Sequence, residues 1–241
     1  MRKLNIISLV FTMGIFSGCV FHVSVDSLFP IRGNGNLITS ENSVSSFEKI
    51  NISGSAQVRF YESQEYRTVV TVDSNLLEYT EIVTRGNTLN VRTKNGNYLF
   101  TEYLVDVYCP AVTDVSVSGS GNFEGMDSIN VSTFTSKVSG SGKIDGAIEC
   151  ENFYAKISGS GRITVSGNGG DSDIDIAGSG VFNGKELSVH KATVRISGSG
   201  KADINVSENL DAHISGSGEI NYRGNPIINS KISGSGRIRN L

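Results

Sequence analysis

From Val115 to the end of the chain, apolar and polar side chains alternate with period two around a phrase that returns seven times. In one copy Phe153, Ala155, Ile157, Ile163 and Val165 alternate with Tyr154, Lys156, Ser158, Ser160, Arg162 and Thr164. Such alternation predicts strands with one face buried. The phrase is Ser-Gly-Ser-Gly, starting at Ser118, Ser139, Ser158, Ala177 (as Ala-Gly-Ser-Gly), Ser197, Ser215 and Ser233. The steps are 21, 19, 19, 20, 18 and 18 residues. A period of about 20 residues without helix-forming stretches predicts the stacked turns of a solenoid. Before the phrases stand Val117, Val138, Ile157, Ile176, Ile196, Ile214 and Ile232, and after them Phe123, Ile144, Ile163, Phe182, Ala202, Ile220 and Ile238. These two columns are expected to stack inward on their like. A strand that stacks on its equivalent one turn later is parallel to it. The predicted fold is therefore all-β, a right-handed parallel β-helix of about seven rungs with period 18–21, its hand following the crossover preference.

The same parity points both glycines of each phrase inward and both serines outward. Glycine there lets the chain bend sharply or approach the opposite wall closely. A corner inside the phrase that flips this assignment is the alternative. Residues 114–241 form the repeat unit. Residues 46–113 carry only an echo of it, with Ile50, Ile52, Val58 and Phe60 around Ser53-Gly54-Ser55-Ala56. Runs at Thr68–Val72, Leu89–Arg92 and Leu104–Cys109, punctuated by turn residues, predict longer strands there, antiparallel in places, that cap the first rung.

The chain opens with Arg2 and Lys3, then an apolar stretch from Leu4 to Phe16, which reads as a secretory signal over residues 1–18. Phe16-Ser17-Gly18-Cys19 resembles a bacterial lipobox, which implies cleavage before Cys19 and lipid attachment to it. Phe16 departs from the usual Leu, and a cleaved signal that leaves Cys19 a free thiol is the alternative. Residues 19–45 are expected to be the lipidated cysteine and a tether. The membrane, reached through the lipid anchor, is thus one expected partner. With Val20 and Phe21 after Cys19, resemblance to lipoprotein sorting rules implies the outer membrane. Beyond residue 18 the chain has 19 basic and 24 acidic side chains, a net charge of about −5, which disfavours nucleic acid. Cys109 and Cys150 are expected two rungs apart, roughly 9–10 Å, beyond the reach of a disulfide. Two separate, mostly buried thiols follow.

Several segments carry a family resemblance over roughly residues 46–241. They are Phe47-Glu48-Lys49-Ile50, the run from Val69 to Leu77, Asn87-Thr88-Leu89-Asn90-Val91, the run from Val105 to Pro110, and the phrase series. Together they resemble the family described as putative auto-transporter adhesin, head GIN domain, of bacterial envelope proteins. The resemblance implies an all-β protein with a β-helical part and supplies no catalytic residues.

The best functional lead lies beside the serines. Two residues before each phrase stand Ser116, Lys137, Lys156, Asp175, Arg195, His213 and Lys231. Four residues after each start stand Asn122, Lys143, Arg162, Val181, Lys201, Glu219 and Arg237. With the hydroxyls of Ser139, Ser141, Ser158 and Ser160, these cations form a candidate face for an acidic glycan or another anionic polymer. The competing reading takes them as salt-bridge ladders, through Asp175 between Lys156 and Arg195 and Glu219 between Lys201 and Arg237, each pair worth little. A scaffold that binds another envelope protein, end to end through the terminal rung, is the second functional hypothesis. Gly169-Gly170-Asp171-Ser172-Asp173 is similar to a calcium-binding β-roll turn but occurs once, so no metal or cofactor is assigned. An enzyme is disfavoured. Glu124, Asp145 and Asp203 share an outward column, with Asp145 and Asp203 too far apart for a carboxylate pair.

Overall fold

The computed structural model describes residues 29–241, and the signal segment and Cys19 lie outside them. Strands stack into a β-solenoid, with about seven turns bearing the phrase. Strands before the corner stack as Asp114–Gly119, Thr133–Gly140, Asn152–Gly159, Asp171–Gly178 and onward to Ile227–Gly234, each parallel to the next. The register is the one set by the repeat. Val117 pairs with Val138, then Ile157, Ile176, Ile196, Ile214 and Ile232. Phe123 leads the second column through Ile144, Ile163, Phe182, Ala202 and Ile220 to Ile238. All but the last member of each column are buried. Burying each such Val, Ile or Phe contributes about 1.5–3 kcal/mol, and Phe134 stacks on Phe153 at 6.1 Å between ring centres. Ile232, in the last level among the described residues, is 44 % exposed.

The two glycines of the phrase serve different purposes. The first sits at positive φ at every turn, 117° at Gly140 and 116° at Gly159, and ends its strand. A Cβ on Gly140 would lie 2.7 Å from the carbonyl oxygen of Gly119 one level down. The second glycine faces inward, where a Cβ on Gly142 would lie 2.5 Å from Val117 Cγ1 and 2.6 Å from the Gly121 carbonyl oxygen. The phrase is thus both a corner and a close approach. It does not flip the parity, because Val138, Gly142 and Ile144 are buried while Ser139, Ser141 and Lys143 are exposed. The ladder continues around the bend, with Ser141 N–H donating to the Gly119 carbonyl at 2.8 Å and Lys143 N–H to that of Gly121 at 3.1 Å.

The N-terminal region belongs to the same sheet. Lys49–Gly54 pairs in parallel with Asp114–Gly119, placing Ser53 and Gly54 beneath Ser118 and Gly119. Gln57–Glu62 lies likewise under Asn122–Gly125. Below these lie Thr88–Thr93 and Tyr103–Cys109, also parallel to them. Stacking order therefore departs from chain order: the chain lays down one level, drops to the level beneath, then returns above both. Antiparallel strands cover this end, with Arg67–Asp73 against Tyr103–Cys109 and Thr80–Arg85 against Thr88–Thr93.

Two expectations are corrected here. Part of the segment expected as a tether is folded, since Leu37–Ser43 pairs antiparallel with Arg67–Asp73 through seven residues. Its hold is Asp73, fully buried, which accepts the N–H groups of Gly35 and Thr101, both at 2.8 Å. The Asp73 carboxylate fills the space where a side chain at residue 33 would stand, which is why Gly33 fits. The cysteines are unpaired as expected, but Cys150 is only half-buried. The level at Gln57–Glu62, which chain order does not reveal, also adds to their separation.

Two outcomes follow. Gly140→Ala is expected to lower the unfolding free energy by about 2–3 kcal/mol, from forbidden φ and overpacking. Ser141→Ala on the outer side should stay within about 0.5 kcal/mol, and urea denaturation of both variants compares them. Burial alone would raise the Asp73 pKa, but the N–H bonds from Thr101 and Gly35 outweigh it and hold it below 3.8. This stabilisation is present above the ordinary carboxylate value and is lost as pH falls through the lowered one. Hydrogen-exchange protection of Leu37–Ser43 should therefore collapse only below about pH 4, and Asp73→Asn should weaken it above that pH and remove the transition.

Candidate functional site

The corner decides where the outward cations go. Lys137, Lys156, Arg195 and Lys231 project from strands that end at the first glycine, and Lys143, Arg162, Lys201 and Arg237 from strands that begin after the second. A groove of about 620 Å³ runs along the first column, lined by Lys156, Asp175, Arg195, His213 and Lys231 with the hydroxyls of Ser197, Ser215 and Ser233. None of the second column lines it. The predicted strip is thus split by the corner. Ser139, Ser141, Ser158 and Ser160 are exposed on that corner, while later serines of the first ladder line the groove.

The charge pairing differs from a ladder. Arg195 Nη1 meets Asp173 at 2.7 Å and Asp175 at 3.3 Å, Lys137 meets Asp114 at 3.0 Å, and Lys201 meets Asp203 at 3.6 Å. The bond to Asp173 raises the Arg195 pKa further. Glu219 pairs with neither Lys201 nor Arg237, and Asp175 does not pair with Lys156. Among the described residues Lys143, Lys156, Arg162, Lys231 and Arg237 are exposed and have no carboxylate within 4.0 Å. At two adjacent levels cation stacks directly on cation, Lys137 in register with Lys156 and Lys143 with Arg162.

The acidic candidates resolve differently. Glu124 and Asp145 are in register on adjacent levels and line an open cavity of about 340 Å³. Asp203 keeps its place in the outward column, in register with Asn183, but is covered and so buried. The register shifts after Gly184, and Lys185 from that bulge folds over Asp203 at 3.4 Å while Asn221 donates to it at 2.8 Å. Asp171, Asp173 and Asp175 do share one outward parity, but Arg195 occupies two of them. Among the described residues no three His, Cys, Asp or Glu side chains are placed to hold a metal ion.

Residues 46–226 match the sequence profile of the family described as putative auto-transporter adhesin, head GIN domain. The chain belongs to that family. No curated protein matches it. Solved structures similar to this GIN domain include a putative lipid binding protein from Parabacteroides distasonis, 28 % identical with a TM-score of 0.74. A putative adhesin from Bacteroides fragilis is 21 % identical with a TM-score of 0.83, and another from Parabacteroides distasonis is 24 % identical with 0.71. Each alignment covers 88 % of this chain and all of the other. The last two show the shared fold.

Elsewhere on the GIN domain, Cys150 and His190 line a cavity of about 390 Å³ with Glu151 and Asp171. Burial pushes the Cys150 thiol up to about 11, and that of Cys109 to about 12. Neither is a thiolate at neutral pH, so neither is a ready nucleophile. Sequence reasoning passed over Tyr154, an outward ring that is 47 % exposed. The available signal was its column, where Thr135, Asp173, Thr193, Asp211 and Asn229 are all shorter and polar.

Proposed function

We propose that this GIN domain is a non-enzymatic binding module of the bacterial envelope, anchored by lipid at Cys19, that holds an anionic polymer at its solenoid corner, an acidic glycan foremost. The observation that carries the reading is the stacking of Lys137 on Lys156 and of Lys143 on Arg162 without an intervening carboxylate. Like charges directly opposite on a ladder destabilise it, and a chain of negative charges laid across the corner would neutralise them. The hydroxyls of Ser139, Ser141, Ser158 and Ser160 lie between the two cation pairs in the sequence and are exposed to donate to such a ligand. The groove beyond, with Lys231 free of carboxylates, extends the same surface along the rod axis. A family that groups adhesins, and a relative described as lipid binding, both fit a surface that meets anionic material.

Two measurements test this. Isothermal titration with polygalacturonate and with polyphosphate should show binding that weakens steeply between 0.05 and 0.5 M salt, as expected of exposed charges. Reversing Lys137, Lys143, Lys156 and Arg162 to Glu should cost roughly 0.5–1 kcal/mol per contact, or about 100-fold in affinity. Unchanged binding after the reversal overturns the site. Cys19→Ser should release the protein from the membrane fraction and abolish incorporation of labelled palmitate, and retention of both would overturn the anchor.

A further inference from the structure

Tyr154 stands where two grooves meet. On one side it lines a groove of about 310 Å³ with Thr135, Lys137, Lys156 and the carboxylates of Asp173 and Asp175, both of which Arg195 holds. On the other it lines a groove of about 580 Å³ with Asn152, Asp171, Asp173, Lys191, Thr193 and Asp211. Its column neighbours, Thr135 below and Asp173 above, are too short to cover the ring. Among the described residues the ring stacks on no other aromatic. The adjacent Phe153 is fully buried and takes the core role at this level, which leaves Tyr154 without a packing task.

We infer that Tyr154 is the platform of a sugar-ring subsite, and that the polymer held at the basic corner is an acidic polysaccharide. The inference rests on the anionic-polymer reading above and deepens it. A pyranose ring offers an apolar C–H face and a rim of hydroxyls, which require an exposed aromatic face and a surround of short acceptors and donors. Tyr154 supplies the first. Carboxylates of Asp171 and Asp211 accept hydroxyl protons, and the Asn152 amide both donates and accepts. Lys156, on the opposite side of the ring and with no carboxylate within 4.0 Å, is placed to take the carboxylate of an acidic sugar, with Lys137, which Asp114 holds at 3.0 Å, beside it. A polymer of phosphate alone has no hydroxyls to offer the carboxylates of Asp171 and Asp211. A broad apolar partner is equally ill suited, since one ring amid polar groups is not an apolar patch.

Two probes separate this subsite from the charge site, using the full chain purified in detergent. Tyr154→Ala should weaken polygalacturonate binding about fivefold to tenfold, the range of one lost aromatic contact, and leave polyphosphate binding within twofold. Tyr154→Phe should retain polygalacturonate affinity, because the ring and not its hydroxyl carries the contact. Equal losses on both polymers, or no loss on polygalacturonate, would overturn the subsite. Binding of polyphosphate without polygalacturonate would overturn the subsite and leave the anionic-polymer reading standing, whereas binding of neither would remove both.

Discussion

At the corner of every turn the backbone of one level lies against the backbone of the next with no room for a methyl group. A Cβ at Gly159 would come within 2.7 Å of the Gly140 carbonyl oxygen, and one at Gly161 within 2.7 Å of that of Gly142. That contact lets the ladder bend without breaking, since Ser160 N–H still donates to Gly140 at 2.9 Å and Arg162 N–H to Gly142 at 3.0 Å. Larger residues would push adjacent levels apart at the bend and disrupt both hydrogen bonds. The inward columns depend on the same contact, because Ile157 and Ile163 stack on Val138 and Ile144 only while the levels keep register on both sides.

A fixed corner also fixes what can lie outside it. Side chains before the bend and after it leave on different sides, so cations that look like one strip in the sequence become two. The core is insensitive to this division, which frees the outward positions for recognition. They are used unevenly. Some cations are satisfied internally, as Arg195 is by Asp173 and Asp175. Others, including Lys143 and Arg162, meet no carboxylate among the described residues.

What could be read from the residues follows from the range of the interactions involved. The inward columns were legible because parallel stacking at a constant period places like on like, so Val117 to Ile232 could be aligned without coordinates. The insertion of the Thr88–Thr93 level beneath Lys49–Gly54 was not legible, because parallel pairing between distant segments leaves no local mark. The echo at Ser53-Gly54 signalled a full level, yet nothing near it indicated that the next segment would pass below. The docking of Leu37–Ser43 rests on a seven-residue ladder to a strand some thirty residues away and on the buried carboxylate at its end, and Asp73 in the sequence looks like any turn aspartate. Asp203 kept its parity, yet its burial was not legible, because the bulge after Gly184 that brings Lys185 over it leaves no mark near Asp203 in the sequence. Tyr154 was visible as an outward residue, but its two flanking grooves arise only when three levels are assembled.

The like-charged pairs at the corner bear on function through their magnitude. Stacked levels are about 4.8 Å apart, and at that distance two unit charges in water repel by about 0.9 kcal/mol. Flexible side chains and salt reduce this, so the fold tolerates Lys143 over Arg162 with no carboxylate nearby, while Asp114 at 3.0 Å from Lys137 offsets Lys137 over Lys156. The same geometry is costlier in a fold with a thinner margin, and here the buried columns supply that margin. A polyanion crossing the corner turns the repulsion into attraction at four points held at fixed spacing by the ladder. Because the backbone hydrogen bonds set that spacing in advance, little side-chain ordering beyond the lysine and arginine stems is needed on binding. The glycine contact that makes the corner rigid is therefore also what preorganises the charges on either side of it.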